Sequence, residues 1–334
     1  IVVEQNLLNA CRAKLNRYIE DIANQGYYGF LLSYSGGSAA SLKSKLKKYK
    51  DLVGAILVGD TPVAWYCNTN DFDGKTKTFP CDLYFMDLNG VWRDNNNDGK
   101  YDQHIGDVAP EIFVARWPVH KQSADGSAAS ILNTWLDKNT RIRKGKTGYS
   151  LRGCAFIDND WSHHGYASLD KMLQKSIIKK VTNHAQSSIA NYKVELTKKL
   201  SWMHFACHSN VWHHSTENDH GVLRDTNIRG NDEPHAYFYQ LFNCKSGRFT
   251  ENNFIGGAYV FGKRAPHSLA AIASAKSGAM TQFNRFYGPM GDGELIGPAF
   301  RDWFAGAAPY NNDERRWWYG LTILGDPIAN WTTP

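Results

Sequence analysis

Two apolar stretches in the middle of the chain constrain its fold most. They read LSWMHFACHSN and AYFYQLFNCKSGRF, and both lie between residues 200 and 249. Each stretch stops at a polar, reactive residue, the first at His208 and the second at Cys244. Strands of a parallel sheet are buried on both faces and therefore read as continuous apolar runs. Because sites in open α/β sheets form at the carboxyl ends of such strands, the pattern predicts His208 and Cys244 at one rim of a sheet.

The rest of the chain alternates strand-like and helix-like segments. Residues 5–25 have helical spacing, YYGFLLSY predicts a strand, a basic-faced helix follows, and GAILVGDTP predicts a buried strand. The same order continues with the strand EIFVARWP, a helix over about 124–143, the strand GCAFIDND, a helix over about 168–184, the strand SLAAIASA, a helix from about 293 to 304 and the strand-like LTILGDP. This alternation predicts an α/β fold of three layers (αβα) with a mostly parallel sheet.

Length predicts two similar subdomains in this α/β chain. A chain of 334 residues corresponds to about two domains at roughly 150 residues each. The basic loop over 144–149 is the expected seam, which gives an N-terminal subdomain over 1–147 and a second subdomain over 148–334 that carries His208 and Cys244.

Charge and hydropathy exclude some partners. The net charge is only +6, with 38 basic and 32 acidic residues interspersed, so no nucleic-acid partner is expected. No apolar run reaches the roughly 18 residues of a membrane span, and none is expected. The first residue is Ile1 rather than Met, which is compatible with removal of a signal or pro-segment. The sequence does not indicate an oligomeric state.

Oxygen donors at alternate positions of one loop predict a calcium site. The loop reads DLNGVWRDNNNDGKYDQ, and its expected ligands are Asp94, Asn96, Asp98, the main-chain carbonyl of Lys100, and Asp102. Gly99 takes the sixth place, where calcium loops need a sharp turn. Ile105 stands at the twelfth place instead of the usual bidentate Glu. An Asn/Asp turn that hydrogen-bonds to its own main chain is the alternative interpretation.

His208 and Cys244 are a possible general base and nucleophile. A cysteine nucleophile gains from a neighbouring histidine, and main-chain amides at Ser209 and Cys244 could hold the oxyanion of a tetrahedral intermediate. A buried cysteine that only packs is the alternative. The further histidines at 213, 214 and 220 lack zinc-ligand spacing and predict a solvated loop over a cleft, while His204 is expected in the core.

Several segments together resemble the gingipain-type cysteine peptidases, relatives of the caspases, legumain and clostripain. The resemblance spans most of the chain and rests on LVGD at 57–60, CDLYFMDLNG, VARWP at 114–118, SWMHFACHSNVW, LFNCKSGRF, and ILGDP at 323–327. It implies a caspase/gingipain-like fold in which His208 is the catalytic histidine and Cys244 the nucleophile. Here Cys207 and Ser209 replace the glycines of the family's Gly-His-Gly, and Arg248 replaces an acidic residue of the family's turn.

The resemblance also implies a substrate class. Gingipains and clostripain prefer a basic residue before the scissile bond, and a carboxylate selects such a side chain. Asp170 matches the family's acidic position best by its distance after GCAFIDND, and Asp160 is the alternative. Trp212 and Trp161 are expected to wall the pocket, since aromatic side chains commonly line such clefts.

The combined hypothesis is a secreted or extracytoplasmic cysteine endopeptidase that cleaves protein or peptide substrates after Arg or Lys through a thioester acyl-enzyme. Its predicted cofactor is a structural calcium ion. The alternative is a catalytically degenerate binding or assembly module on the same fold.

Overall fold

A computed structural model describes residues 1–145, 150–217 and 221–332. The seam predicted between residues 147 and 148 lies outside the described residues, so the division into two subdomains stays a prediction. Among the described residues, no helix is both long and apolar enough to cross a membrane.

The described chain contains strands and α-helices in close alternation. The strands are β1 (Val2–Glu4), β2 (Leu32–Tyr34), β3 (Gly54–Val58), β4 (Trp65–Asn68), β5 (Lys77–Pro80), β6 (Val91–Arg93), β7 (Gln103–Ile105), β8 (Phe113–Trp117), β9 (Gly153–Ile157), β10 (Ile178–Val181), β11 (Trp202–Ala206), β12 (His208–Ser209), β13 (His213–Ser215), β14 (Val222–Arg224), β15 (Phe238–Phe242), β16 (Ala270–Ser274) and β17 (Leu321–Gly325). The helices are α1 (Gln5–Ala23), α2 (Ala39–Leu46), α3 (Leu83–Met86), α4 (Ala128–Arg143), α5 (Ile189–Leu196), α6 (Asp225–Gly230), α7 (Ile255–Phe261), α8 (Asn284–Gly291), α9 (Ile296–Ala305) and α10 (Asn312–Trp318).

A ten-stranded sheet forms the centre of the molecule. Its strand order is β10-β9-β11-β15-β16-β17-β8-β3-β1-β2. Neighbouring strands run parallel except β16 and β17, which pair antiparallel. The predicted α/β fold with a mostly parallel sheet is therefore confirmed.

Helices cover both faces of this sheet and give the predicted three layers. Successive strand residues point to opposite faces. Thus Leu57 joins the core under α2, α3 and α8–α10, whereas Ile56 and Val58 join the core under α1, α4, α5 and α7. The central strands β8, β9, β11, β15, β16 and β17 are buried at every position, which explains their uninterrupted apolar sequences.

The helix predicted over 168–184 is wrong. Short 3-10 turns occupy Leu169–Lys171 and Lys175–Ile177, and β10 then pairs with β9 at the edge of the sheet. Ala167 and Ser168 both have positive φ values, +47° and +57°, which a helix start cannot accommodate. The β-branched residues of β10 favour a strand, and its two lysines point to solvent.

The solvated loop predicted beyond His208 is also wrong in part. Residues 213–215 form β13, the middle strand of a small antiparallel sheet with β12 and β14. His214 is completely buried there, and burial, with a smaller effect of nearby His213, lowers its pKa to about 3. His204 is buried as predicted, whereas His220 lies outside the described residues.

Candidate active site

The register of two neighbouring strands brings His208 and Cys244 to the same rim. Strands β11 and β15 pair in parallel, with Ala206 opposite Phe242 as their last residues. His208 follows the first of these ends by two residues, and Cys244 follows the second by two. Neighbouring strands lie about 4.8 Å apart, so equal offsets deliver both side chains to one short stretch of the carboxyl edge.

His208 has a carboxylate partner. Its Nε2 lies 2.6 Å from Oδ2 of Asp160, and the indole ring of Trp161 lies 4.8 Å from the imidazole, centroid to centroid. About half of the His208 side chain is exposed. Among the described residues Nδ1 has no hydrogen-bond partner, so it is the nitrogen available to a substrate or nucleophile.

The sequence placed Asp160 in a substrate pocket and did not anticipate this contact. Asp160 belongs to a 3-10 segment, Asn159–His164, directly after β9. Asp158, at the start of that segment, is buried, and burial raises the pKa of its carboxyl group. The Asp158 carboxylate accepts hydrogen bonds from the main-chain N–H groups of Asn159 and Glu217. Asp158 thereby holds the loop that presents Asp160 to His208.

Cys244 lies in a turn that is fixed to β16. The N–H of Lys245 donates to the carbonyl of Lys276 at 2.8 Å, and the N–H of Gly247 donates to Ser274 at 2.9 Å. Lys245 has a left-handed φ of +61°. Gly247 is required here, because a Cβ would lie 2.9 Å from that of Ala273. Because both amides already donate to these carbonyls, they are not available to an oxyanion.

The two predicted oxyanion residues differ in what surrounds them. The N–H of Cys244 donates to no acceptor in the described part of the chain, which leaves it available. The Ser209 hydroxyl donates to the carbonyls of Asn210 and His213 at 2.9 Å and contacts Nδ1 of His214 at 3.0 Å. The Ser209 side chain is thus held inside the hairpin, and the oxyanion role of the Ser209 main-chain N–H stays a prediction.

Two thiols lie close to the rim, and their environments differ. Cys207 is 1% exposed, and burial, together with the negative charge of Asp158, raises the pKa of its thiol well above the usual range. Cys244 is only half-buried. Since the thiolate is the reactive form, Cys244 is the better nucleophile of the two.

Trp212 lies near the rim, whereas the turn that carries Asp170 packs against Gly153, the first residue of β9, and against Gly291, the last residue of α8. Trp212 is exposed at the tip of the hairpin, and its Nε1 donates to the carbonyl of Asn252 at 2.9 Å. Asp170 lies in the 3-10 turn that follows two left-handed residues, and its carboxylate is 3.3 Å from the exposed ammonium of Lys175.

Sequence reasoning missed a group of cations on the other side of Cys244. Lys245, Arg248 and Lys276 line a cavity there together with residues 71–73 and 77–79. Arg248 stood out in the sequence only as a departure from the family's turn. Lys276 gave no signal, because it follows a different strand.

The loop predicted to bind calcium forms the turn between β6 and β7. The Asp94 carboxylate accepts hydrogen bonds from the N–H groups of Asp98 and Gly99, at 3.1 and 2.8 Å. Gly99 has φ +82°, the sharp turn that the prediction required. Asp98 pairs with the ammonium of Lys100 at 3.0 Å, and no three acidic, His or Cys side chains converge as metal ligands in the described residues. Calcium binding therefore stays a prediction.

A largely parallel, helix-covered sheet is also the fold of solved gingipain structures. Comparison with solved structures shows that the chain has this fold, confirming the resemblance in the sequence. The sequence itself matches no protein-family model, and no curated protein is similar enough to match it.

The particular structures it matches include gingipain R. The Arg-specific cysteine proteinase gingipain R (RgpB) has a TM-score of 0.65 and 15% identity over 98% of this chain and 77% of that one. The complex of the pro- and mature domains of RgpB from Porphyromonas gingivalis gives 0.64 and 14%, over 98% and 78%. A structure described only as a protease gives 0.62 and 15%, over 98% and 77%.

Proposed function

We propose that this protein is a cysteine endopeptidase with Cys244 as nucleophile and His208 as general acid and base. The observation that carries the proposal is the register of β11 and β15, which places both residues two positions beyond aligned strand ends. The fold similarity to gingipain R, an Arg-specific cysteine proteinase, supports it.

The contacts of His208 suit this chemistry. With Nε2–H directed at Asp160, Nδ1 carries the lone pair and can take the proton of the Cys244 thiol. The sulfur attacks the peptide carbonyl, and the developing oxyanion lies near the free N–H of Cys244. As the C–N bond breaks, the proton passes from His208 to the leaving amine, which leaves a thioester. Water, deprotonated by His208, then hydrolyses the thioester and frees the thiol.

Cleavage after Arg or Lys is the finer part of the proposal, and it rests on the family resemblance, which favours Asp170. Its carboxylate is about one-fifth exposed and pairs with a lysine that is itself two-thirds exposed. A substrate guanidinium can replace that weak partner with bidentate hydrogen bonds. Asp160 is the less suitable carboxylate, because it already holds His208.

The proposed extracytoplasmic location rests on the family resemblance alone.

Labelling with an electrophilic peptide ketone tests the nucleophile. The probe carries Arg or Lys next to the ketone, and peptide mapping identifies the labelled thiol. All six cysteines are free, and only Cys67 and Cys244 are not buried, so Cys67 reports ordinary thiol reactivity in the same experiment. We expect selective labelling of Cys244, slowed strongly in His208→Ala, and loss of peptide cleavage in Cys244→Ala.

Other outcomes would redirect the assignment. Loss of cleavage in Cys207→Ala with full activity in Cys244→Ala would make Cys207 the nucleophile. A folded protein in which Cys244 reacts no faster than Cys67 with a panel of basic, acidic and apolar ketones would favour the binding or assembly module.

A further inference from the structure

A cavity of about 310 Å³ opens beside Cys244, on the side away from His208. It is lined by residues from the segment around β5, from the turn after Cys244 and from the end of β16. Its charged members, called here the basic pocket, are Asp71, Asp73, Lys77, Lys245, Arg248 and Lys276.

The charges of the basic pocket do not balance. Lys276 pairs with Asp71 at 3.0 Å, both almost fully buried, and Lys77 pairs with Asp73 at 2.8 Å. Within each pair, the two opposite charges neutralise each other. Lys245 and Arg248 have no carboxylate within ion-pair distance in the part of the chain that the structure describes. Glu251 acts on Arg248 only from beyond ion-pair distance, so the pocket presents two positive charges that have no ion-pair partner among the described residues.

Arg248 is held in place rather than solvated freely. Its Nη1 donates to the carbonyl of Ala275 at 3.3 Å, and its guanidinium lies 5.6 Å from the ring centre of Trp65. Burial lowers the pKa of the half-buried guanidinium. A planar guanidinium with free N–H groups in a fixed position matches a carboxylate in charge and geometry.

The basic pocket is next to the reacting sulfur. Lys245 is the residue after Cys244, and its N–H binds the carbonyl of Lys276. Burial lowers the pKa of Lys276, while Asp71 and the sulfur of Cys244 act in the opposite direction. A side chain in this pocket belongs to a substrate residue close to the scissile bond.

The pocket and Asp170 belong to different parts of the sheet. In the sheet, β9 and β11 flank β15 on one side and β16 flanks it on the other. Asp170 follows β9, whereas Lys276 follows β16. The two features are therefore separate, and the acidic preference inferred for the pocket does not depend on Asp170.

We infer, resting on the peptidase function proposed above, that the basic pocket binds a carboxylate of the substrate close to the scissile bond. The carboxylate comes from a Glu or Asp side chain, or from the C-terminus of a short peptide. Arg248 is the main ligand and Lys245 a second one, and together they are specificity-determining residues of the same active site.

The test uses peptides that share one cleavable sequence and carry Glu or Gln at each of three positions on either side of the scissile bond, each made with a free and an amidated C-terminus. A charge-assisted contact that is partly exposed predicts kcat/KM about tenfold higher for Glu than for Gln at the position that reaches the pocket. Arg248→Met should remove most of this ratio and Lys245→Met part of it. Loss of the preference on amidation would identify the terminal carboxylate as the ligand.

Matched variants and a binding assay separate this inference from the catalytic proposal. Arg12→Met and Lys47→Met remove one exposed charge each, far from the pocket in sequence and without an ion pair, and should keep the Glu/Gln ratio. Fluorescence anisotropy of the same peptides with Cys244→Ala measures binding without cleavage. If no peptide is cleaved but Glu peptides still bind better through Arg248, only the peptidase function fails. Equal binding of Glu and Gln peptides at every position, or a ratio unchanged in Arg248→Met, would overturn the inference.

Discussion

At the scale of single residues, the contact between Asp160 and His208 determines which imidazole nitrogen faces the cleft. The carboxylate engages Nε2, and Nδ1 remains open. Both side chains are substantially exposed, so the pair contributes little to folding stability. The pair instead fixes the orientation of the His208 imidazole ring, which makes Asp160 a positioning residue.

Asp160→Asn should therefore lower kcat by about tenfold or more with little change in KM, because an amide no longer fixes the orientation and tautomer of His208. Steady-state kinetics on one basic and one neutral substrate measures this, and Asp160→Glu should recover part of the loss. Asp170→Asn is the matched variant, with an expected loss confined to Arg and Lys substrates. Equal KM increases in both variants would place Asp160 in substrate binding, as the sequence first suggested.

At the scale of elements, the small antiparallel sheet of β12–β14 carries His208 and supports it through buried packing. His214 of β13 is packed against Phe205 and Tyr259 and contacts the Ser209 hydroxyl. Its Nε2 has no hydrogen-bond partner among the described residues, so a protonated ring would bury an uncompensated charge.

This burial predicts a loss of stability in acid. The folded-state pKa of His214 is lowered to about 3, whereas an unfolded histidine takes up a proton near pH 6.5. The stabilisation is complete above about pH 6.5 and is lost as the pH falls towards 3, at about 1.4 kcal/mol per pH unit for one such histidine. Thermal melts of His214→Gln between pH 7 and 4 should show a shallower decline of Tm. The exposed His184→Gln should behave like wild type, and an unchanged slope in His214→Gln would refute the assignment.

The turn between β6 and β7 permits a separate test of the calcium prediction. Calcium at about 100 times its Kd should stabilise the fold by about 2.7 kcal/mol and raise Tm, and a chelator should reverse this. Asp94→Asn should abolish the response, while Asp292→Asn, on an exposed surface, should keep it. A melting curve indifferent to calcium and chelator in the wild type would leave only the self-bonded Asn/Asp turn.

The elements that sequence predicted correctly are those with one dominant signal. Strands β9, β11 and β15 are apolar at nearly every position because both faces are covered, and short apolar runs of this kind are typical of buried parallel strands. The helix prediction over 168–184 was wrong because the structure of this segment depends on two residues with left-handed φ values and on the pairing of β10 with β9. The contact between Asp160 and His208 could not be predicted for the same reason, and neither could the basic pocket. Each joins residues that are distant in sequence and become adjacent only after the sheet forms.

At the scale of the whole molecule, Asp326 connects the sheet to the helices on one face. Directly after β17, its carboxylate pairs with Arg143 of α4 and accepts hydrogen bonds from Tyr18 of α1 and Asn139, both at 2.7 Å. Asp326 and Arg143 are almost fully buried. Removal of one charge from such a pair leaves the other uncompensated.

Asp326→Asn should accordingly lower the free energy of unfolding by about 3 kcal/mol and reduce Tm by several degrees. Denaturant unfolding measured by circular dichroism checks the value. Asp302→Asn, which breaks an exposed contact with the neighbouring Arg301, is the control and should change stability by less than about 0.5 kcal/mol. Similar losses of unfolding free energy in both variants would mean that the ion pair between Asp326 and Arg143 does not stabilise the fold as a buried pair.

The position of β17 in the sheet has a consequence for biosynthesis. It is the strand that joins β16 to β8, and a ribosome makes it after the other nine strands of the sheet. Until residues 321–325 emerge, the nascent chain holds two partial sheets, each with an open hydrophobic edge that can pair with another chain. Premature termination upstream of β17 therefore releases an aggregation-prone species, and chaperone protection is needed most before residues 321–325 are made.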